Sequence, residues 1–372
     1  MSGSEGSQVD MQSLTQAQKA ALESFNKHAR KRKTRAKKTI AEVLQMSNIS
    51  HERFDGAVRR LKERARIALH FHPDRPDPTM RSVTESLLTH GVYHSQFVTQ
   101  LSSGSVSAFP GGARDNWERQ LFDGAYNLTG STDSDRPKYG ALNLMFHPEG
   151  PAPRFGSCYF LLSPTASHRS TFTYLDSHQD PAERGTFEEF DDILAALLQE
   201  IFMRDFALGQ HSLTPGLLVG HLLTSFNKPI DDFLSQNPGR NLNHYIEAQV
   251  HGDISLRRDV EILIADASFK GSAIGEDLER LCEIYHIGFY WHRGFELPVD
   301  EVPADFRGPT MPSLAERICE NGMVNARLIG AAVVNFRKQP ETWRDRGTFD
   351  EVLQEFKLLW HVLVKFGRPV AL

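Results

Sequence analysis

Residues 245–252 read Tyr-Ile-Glu-Ala-Gln-Val-His-Gly, with polar and apolar side chains in alternation. Successive side chains of a β-strand point to opposite faces, so this stretch predicts a strand with Glu247 and Gln249 on one face and the apolar residues on the other. A carboxylate in that position can hydrogen-bond a ribose hydroxyl and stabilise positive charge that develops at an anomeric carbon. Gln249 can orient an acceptor from the same face. An exposed amphipathic strand fits the same spacing.

Strand and helix patterns lie on both sides of this stretch. A short run from Ile67 to His72 predicts a strand that ends at Pro73. Further strands are expected at Phe97–Leu101, Tyr139–Phe146, Gly156–Leu162 and Ser170–Leu175. Helices are expected at Leu14–Gln45, Asn48–Arg66, Arg81–His90 and Thr186–Phe206, and from the capping box at Thr348 and Glu351 to Gly367.

The composition is that of a folded protein. Of 372 residues, 40% are hydrophobic and 10% aromatic, which excludes wholesale disorder. Three widely separated cysteines, Cys158, Cys282 and Cys319, fit neither a disulfide framework nor a Cys-rich zinc site and indicate a reducing compartment. There is no run of eighteen apolar residues and no signal-peptide pattern, so we expect no membrane span.

Charge is distributed unevenly along the chain. Residues 1–66 carry 15 Lys/Arg against 7 Asp/Glu, whereas the remainder carries 27 against 40. An acidic body suits a basic protein partner better than nucleic acid, because anionic surfaces repel phosphates. Ordinary solubility charge fits the same numbers. The basic run 31–38 could bind nucleic acid, an acidic membrane or a nuclear importer, but a solvated helix face is the more frequent outcome.

The block His70-Phe71-His72-Pro73-Asp74-Arg75 admits three interpretations. Two histidines two residues apart on a strand occur in metal hydrolases, although further ligands are not obvious here. A basic helix followed by His-Pro-Asp (72–74) is how J-domain cochaperones present themselves to a chaperone partner. Alternatively, Arg75 ends a strand at the mouth of a nucleotide site, where its planar guanidinium can clamp a diphosphate.

A second block, residues 95–104, is rich in hydroxyl and amide side chains. On a short strand these groups can hydrogen-bond ribose hydroxyls and support a catalytic carboxylate. The members of interest are Gln96, Thr99, Ser102 and Ser103. Such residues are also common in turns, so the block alone is a weak signal.

Taken together, the blocks at 69–75, 91–104, 109–118, 136–144, 153–160, 245–252 and 306–309 resemble a known family. This is the CteC-like family, a bacterial domain family of unknown function that includes a type III effector of Chromobacterium. That effector ADP-ribosylates ubiquitin on a threonine and so blocks host ubiquitination. The resemblance spans roughly residues 60–366, which is nearly everything except the basic N-terminal segment.

The resemblance implies an α+β fold with an ADP-ribosyltransferase-like core of two packed, twisted sheets, an NAD cleft and additional helices. Its motif runs Arg, Ser/Thr, Glu along the chain, which Arg75, the Thr99 group and Glu247 match in order. Glu247 and Gln249 would be catalytic. The residues that would bind NAD are His72, Arg75, Gln96, Thr99, Ser102, Ser103, Tyr139 and Arg154.

Two departures from the family pattern concern the site. These transferases often carry the catalytic Glu second in Glu-x-Glu or Gln-x-Glu, whereas here the order is Glu247-x-Gln249. Which of the two contacts the ribose therefore stays open. The hydroxyl block also lacks a regular Ser-Thr-Ser. Candidates for the ring that stacks on nicotinamide are Tyr93, Phe97, Phe109 and Tyr126.

The resemblance also sets expectations for partners and domains. It implies NAD as a co-substrate, ubiquitin as the protein acceptor, no metal, and delivery by a type III system into the host cytosol. We expect a monomer that does not bind nucleic acid. Residues 1–50 are expected to be a polar, basic arm for delivery, and 51–372 the catalytic domain. A chain starting near Asn48 is expected to fold and to act on its acceptor.

Overall fold

The computed structural model describes residues 13–101 and 108–370. The α-helices in these ranges are α1 Gln16–Met46, α2 His51–Arg64, α3 Val83–His90, α4 Gln96–Thr99, α5 Ala113–Leu121, α6 Pro164–His168, α7 Asp191–Arg204, α8 Pro215–Thr224, α9 Ile230–Leu234, α10 Leu256–Asp259, α11 Ala273–Tyr285, α12 Met311–Ile318, α13 Ala326–Lys338 and α14 Phe349–Phe366. Among the described helices, none is both long enough and apolar enough to cross a membrane.

The strands are β1 Arg66–Phe71, β2 Val92–Tyr93, β3 Lys138–Asn143, β4 Cys158–Leu162, β5 Ser170–Tyr174, β6 Arg184–Thr186, β7 Phe206–Ala207, β8 Gln210–His211, β9 Ile246–Val250, β10 Ile254–Ser255, β11 Val260–Asp266, β12 Gly288–His292, β13 Glu296–Pro298 and β14 Met323–Asn325. Eight of them form one sheet in the order β12-β11-β4-β1-β3-β9-β5-β6. Neighbours are antiparallel except β11 and β12, which are parallel and are connected through α11.

The two faces of this sheet differ in chemistry. Apolar residues such as Leu69, Phe172 and Ile246 point into the main hydrophobic core, where helices cover the sheet. On β9 the residues between the apolar ones, Glu247 and Gln249, point to the opposite face. The alternation predicted for residues 245–252 is thus confirmed, and it gives the sheet one polar patch near its middle.

Local signals fix several helix ends as the sequence predicted. Ser82 and Glu85 form a reciprocal capping box before α3, and Gly91 ends that helix in the left-handed conformation that glycine adopts without strain. Thr348 and Glu351 form the same box before α14. Other helix boundaries differ from the prediction. The predicted helix from Thr186 begins only at Asp191, because Arg184–Thr186 pair with β5.

The prediction of a strand at Phe97–Leu101 is wrong. Residues Gln96–Thr99 form the single helical turn α4, in which the carbonyl of Ser95 accepts the backbone N–H groups of Val98 and Thr99. Phe97 alone of this turn is buried, so one anchor replaces the alternating pattern of a strand. Ser102 and Ser103 lie outside the described residues.

The fold class is α+β, as predicted, but the sheet arrangement differs from two packed sheets. Within the described ranges eight strands join one continuous sheet, and the other six strands form three two-stranded pairs. β1 is hydrogen-bonded on both sides, to β3 and to β4, so no gap divides the sheet at its centre.

The N-terminal helix α1 does not stand apart from the body as the sequence suggested. It packs against α7 and β6, and it buries Leu22, Phe25 and Leu44. Part of the basic run is also engaged, since Arg32 binds Asp192 at 2.7 Å and Glu183 at 2.6 Å. Lysines 31, 37 and 38 are exposed, which fits a solvated face. The contacts therefore favour loss of the native fold in a chain that starts near Asn48.

We expect Phe25→Ala to lower the free energy of unfolding by about 3–5 kcal/mol, the usual cost of emptying a buried phenylalanine site. Phe25 is buried and stacks on Phe122 at 5.5 Å between ring centroids. Urea unfolding followed by circular dichroism measures the change. Lys31→Ala on the exposed face of the same helix is the control, with an expected change below about 0.5 kcal/mol. Equal stabilities for Phe25→Ala and wild type would show that α1 is an appendage.

Candidate active site

Glu247 lies at the middle of β9, between β3 and β5, and is 5% exposed. Its Oε1 accepts hydrogen bonds from the Ser177 hydroxyl and from Gln249 Nε2, the latter at 2.9 Å. Oε2 accepts no side-chain hydrogen bond within the described ranges. A backbone hydrogen bond from Ser177 also stabilises the charged carboxylate, so Ser177 and Gln249 together hold Glu247 in place.

A chain of hydrogen bonds leads from Tyr126 to this carboxylate, and every proton in it has one possible place. Gln249 donates to Glu247, so its Oε1 accepts the hydroxyl proton of Thr171 at 2.8 Å. The Thr171 oxygen then accepts from His251 Nε2 at 3.2 Å. His251 Nδ1 in turn accepts the proton of the Tyr126 hydroxyl. All four donors point towards Glu247, and such chains strengthen each member by polarisation.

Burial raises the pKa of Glu247 from its ordinary value to about 7, and the nearby Asp176 carboxylate adds to the rise. The hydrogen bonds from Ser177 and Gln249 act in the opposite sense, because they stabilise the charged form. The pKa of His251 is lowered to about 3 by burial and by the cations Lys138 and Arg169, so this ring is neutral in the chain. Glu247 consequently changes charge near neutral pH.

Tyr139 pairs in register with Gln249 across β3 and β9, on the same face of the sheet. Its hydroxyl donates to Glu118 Oε1 at 2.8 Å. Arg136 donates to the other oxygen of Glu118 at 2.9 Å and to Asp115 at 2.5 Å. Burial raises the pKa of Glu118 despite these partners. The group is a buried ionic cluster that fixes Tyr139 beside the Glu247 site.

Trp117 is linked to Glu247 through Ser177. Its indole N–H donates to the Ser177 carbonyl at 3.0 Å, and its ring lies 5.4 Å from that of Tyr139. The Arg114 guanidinium lies over both rings, at 4.9 and 5.2 Å from their centroids. Its Nε is buried without a hydrogen-bond partner in the described part of the chain.

The four rings proposed from the sequence for nicotinamide lie elsewhere. Tyr126 takes part in the hydrogen-bond chain, and Phe97 is buried beneath Arg136 at 4.3 Å. Tyr93 donates to the His70 carbonyl at 3.4 Å, and Phe109 is exposed. None of these contacts reaches Glu247 directly, whereas Trp117 is one residue away through Ser177.

Arg154, predicted to bind the cofactor, lies beside this site. It precedes β4, donates to Asn243 Oδ1 at 3.0 Å, and its Nη1 lies 3.9 Å from Asp176 Oδ2. Asp176 also accepts the Tyr245 hydroxyl at 3.1 Å. Arg154 Nε is buried and has no partner among the described residues. The structure therefore brings Arg154 and Glu247 together through Asp176.

Arg75 has different neighbours from those expected of it. The charges that act on Arg75 are those of Asp74 and Arg337, and Arg75 lowers the pKa of His72. The His72 ring lies edge-on to Trp360 of α14 at 5.2 Å. Arg75 Nη1 is buried without a hydrogen-bond partner in the described ranges, so this donor is available to a ligand. Arg75 and His72 thus lie against the C-terminal helices, and binding of NAD by them stays a prediction.

The His-Pro-Asp segment does not have the setting of a J domain. It follows the central strand β1, not a helix, and Asp74 is only 7% exposed. Asp74 lies against α13 so closely that a Cβ on Gly330 would be 1.4 Å from its Oδ2. Burial raises the pKa of Asp74 to about 6. A partner chaperone has no access to such a carboxylate.

His70 is also unsuited to the metal-hydrolase interpretation. Its Nε2 accepts the Ala152 N–H at 3.2 Å, so Nδ1 carries the proton and donates to the Gly156 carbonyl at 3.2 Å. Both nitrogens are therefore occupied by the backbone. No cluster of three or more potential ligands for a metal occurs in the described part of the chain.

Gln96 and Thr99 lie on α4, on the far side of the Arg136 cluster from Glu247. Thr99 Oγ1 donates to the Ser95 carbonyl at 3.3 Å, as an ordinary helix hydroxyl does. Gln96 Oε1 is buried without a described partner. The contacts of this pair do not reach Glu247, and a role in ribose binding stays a prediction.

A cavity on the same face of the sheet lies apart from this chemistry. Its lining is mostly apolar, with Phe146, Phe226 and Phe233 facing Tyr159, and it contains no carboxylate. Cavity volume alone would place the site there, but the carboxyl group with a raised pKa and its hydrogen-bond donors are at Glu247. We therefore take Glu247 as the centre of the site.

Sequence reasoning missed Asp176, Ser177 and Trp117. Asp176 and Ser177 directly follow the predicted strand at 170–175, where a strand end places polar side chains at the edge of a site. Trp117 stands in the quoted block 109–118, but nothing local shows that α5 crosses to Ser177. Only the position at the strand end was a usable signal.

The raised pKa of Glu247 has a consequence for stability. The folded state holds this proton more tightly than the unfolded chain, so ionising Glu247 destabilises the fold as pH rises from about 4.5 to about 7. Glu247→Gln keeps both bonds on Oε1 and cannot ionise. We expect the variant to exceed wild type in free energy of unfolding by about 1–3 kcal/mol at pH 8, and to match it near pH 5. Urea unfolding at both pH values measures this. A difference in free energy of unfolding between variant and wild type that is the same at pH 5 and pH 8 would contradict the prediction.

Comparison with known proteins gives a family but no activity. No curated protein matches the chain. Residues 66–366 match a family described as a protein of unknown function, DUF3626. The match takes in the whole eight-stranded sheet, Glu247 and all of α14, and it leaves α1 and α2 outside. Over this range the chain belongs to the DUF3626 family.

Proposed function

We propose that the protein transfers ADP-ribose from NAD to a threonine hydroxyl of a protein acceptor. The observation that carries the proposal is Glu247, a buried mid-strand carboxylate that Ser177 and Gln249 hold by hydrogen bonds and whose pKa burial raises to about 7. Ubiquitin as the acceptor, with a block of ubiquitination as the outcome, rests on the resemblance to CteC-like effectors. So do the ADP-ribosyltransferase core and delivery by a type III system.

The residues around Glu247 are of the types that bind a dinucleotide, namely hydrogen-bond donors and aromatic rings. Buried donors without partners in the described ranges, Arg114 Nε and Arg154 Nε, stand on two sides of the carboxylate. Two ring faces, those of Trp117 and Tyr139, lie close together beside it. NAD supplies the leaving group, because nicotinamide departs from the anomeric carbon of the ribose.

Within this proposal Glu247 and Gln249 have separate roles. Gln249 is 0% exposed. Its amide oxygen accepts a hydrogen bond from Thr171 and its amide nitrogen donates one to Glu247, so Gln249 positions the carboxylate. Glu247 Oε2 accepts a ribose hydroxyl and stabilises the positive charge that grows on the ribose. This assignment resolves the Glu-x-Gln order in favour of the first residue.

Acceptor attack needs little from a base. A threonine hydroxyl is a weak nucleophile, but the cationic ribose is a strong electrophile, so placement of the acceptor matters more. The neighbouring rings and the buried Glu118 cluster keep the walls of the site rigid and limit water. Excluding water favours transfer to a protein over hydrolysis of NAD.

The first test is direct transfer. Wild-type protein incubated with NAD and ubiquitin in the presence of a chelator should add one ADP-ribose, as seen by mass spectrometry. Glu247→Gln should lower the rate about 100- to 1000-fold, because one charge-stabilising contact is lost. Glu283→Gln, at an exposed position of α11, is the matched control and should act normally. NAD hydrolysis without any transfer would make the protein a glycohydrolase, and normal turnover by folded Glu247→Gln would remove Glu247 from the mechanism.

The second test is the pH profile. Glu247 acts as a carboxylate, so the rate should rise with pH and reach half its maximum near 7. Ser177→Ala removes a donor that favours the charged form, so its midpoint should move to higher pH. Steady-state rates between pH 5.5 and 9 measure both. A profile that is flat, or a midpoint that Ser177→Ala leaves in place, would show that another group limits the reaction.

A further inference from the structure

Three cations and a histidine lie near one another and near Asp176. They come from three separate segments: Arg154 before β4, Arg307 in the loop before α12, and Lys357 and His361 on α14. Lys357 and His361 are four residues apart and so share one face of the helix. Arg154, Arg307 and Lys357 each act on the charge of His361. We call this group the cationic wall.

Contacts within the protein hold the side chains of the cationic wall in place. The Trp360 indole N–H donates to the Pro153 carbonyl at 2.7 Å and ties α14 to the segment that carries Arg154. Each arginine lies over the phenylalanine next to it in sequence, Arg154 at 5.1 Å from Phe155 and Arg307 at 5.0 Å from Phe306. Both guanidinium groups are therefore oriented before any ligand arrives.

The wall has donors that nothing in the described ranges uses. His361 is 1% exposed, and among the described residues neither of its ring nitrogens has a hydrogen-bond partner of good geometry. The backbone of Arg154 lies close enough to favour the protonated form of the ring. Arg154 Nε and Arg307 Nε are also buried, and neither has a partner in the part of the chain that the structure describes. Buried polar groups are nearly always satisfied, so donors and acceptors left open together point to a missing ligand.

Backbone strain at Arg307 supports the same conclusion. Arg307 has a φ of +67°, in the left-handed region that a long side chain seldom adopts. Such strain is kept where the surroundings fix a side chain in place, commonly at a ligand site. Asn adopts this region more readily than Arg, so the position can lose its charge without losing its backbone conformation.

Charge identifies the class of ligand. Burial and the neighbouring arginines lower the pKa of Lys357, which shows that the cations repel each other across the wall. Asp176 opposes them, but it is shared with Arg154 and Tyr245. An anion with several oxygens would relieve this repulsion and accept the open N–H groups. Planar guanidinium groups suit phosphate oxygens in particular.

We propose that the cationic wall of Arg154, Arg307, Lys357 and His361 binds the diphosphate of a nucleotide. The choice of NAD as that nucleotide rests on the proposed function, whereas the anion site rests on the wall itself. Asp176 then separates the diphosphate from Glu247, and the ribose lies between them. Arg75, which the sequence pattern favoured for this role, lies beyond His72 and is not part of the wall.

Binding measurements without turnover test the wall. Calorimetry on the full chain would use inorganic pyrophosphate, ADP-ribose and NAD as separate probes. We expect Lys357→Gln and Arg307→Asn each to weaken all three by about 10- to 100-fold, since each removes one charge-assisted contact. Lys365→Gln, exposed on the same helix, is the matched control and should bind as wild type does. Circular dichroism melting curves show that each variant is folded.

The possible outcomes separate this inference from the proposed function. Unchanged binding of pyrophosphate and ADP-ribose by the folded wall variants would overturn it, even if NAD is still consumed. A loss of binding in Arg75→Lys larger than that in Arg307→Asn would move the diphosphate to Arg75 and also overturn it. Binding of pyrophosphate and ADP-ribose that depends on the wall supports the anion site, even if no ADP-ribose is ever transferred. In that last case the transferase proposal alone fails.

Discussion

Keeping a carboxylate at the centre of a sheet is the constraint on which the rest of this structure depends. An ionised group that leaves water for a protein interior loses several kcal/mol of solvation unless donors replace the water. Glu247 meets that requirement through Ser177 and a chain that begins at Tyr126. The register of β9 between β3 and β5 brings these groups together, and a shift by one residue would turn Glu247 into the apolar core.

The same constraint explains why so much of the chain supports one face of β9. Tyr126 and His251 both pack on Phe122, which in turn stacks on Phe25 of α1. The long N-terminal helix is therefore linked by ring contacts to the histidine that orients Thr171 and Gln249. A helix outside the family match thus supports the polar site from behind. The site and the basic segment are parts of one packing arrangement.

The charged groups on the two sides of Glu247 differ. On one side Arg136 pairs with Asp115 and Glu118 inside the protein, and Arg114 also favours the charged form of Glu118. On the other side the cations of the wall have only partial compensation from Asp176. A ligand with a neutral aromatic end and an anionic middle would match this division. Such a match concerns orientation as much as affinity, because a reversed ligand would place anionic oxygens beside a carboxylate.

The sequence was informative where the pattern is local. Alternation at 245–252 predicted β9 and the sheet face on which Glu247 lies, and the capping box of Thr348 and Glu351 predicted the start of α14. It failed where distant segments decide. α4 was taken for a strand because a hydroxyl-rich stretch carries no period, and α1 was set apart because its basic residues hid the buried stripe with Leu22 and Phe25. Ser177 was marked only by its position after a predicted strand, Arg307 only by its place in the block 306–309, and His361 by nothing local, since each acquires its role from residues far along the chain.

The hydrogen bond from Trp360 to Pro153 joins residues 207 positions apart. During synthesis the segment that carries Arg154 cannot make this contact until α14 has been made. The strands from β1 to β9 can pair before that, so the Glu247 region can assemble earlier than the wall. Contacts of such long range slow folding, because a large loop must close before they stabilise anything. Between these two stages the sheet would exist without α14, and therefore without Lys357 and His361 of the cationic wall.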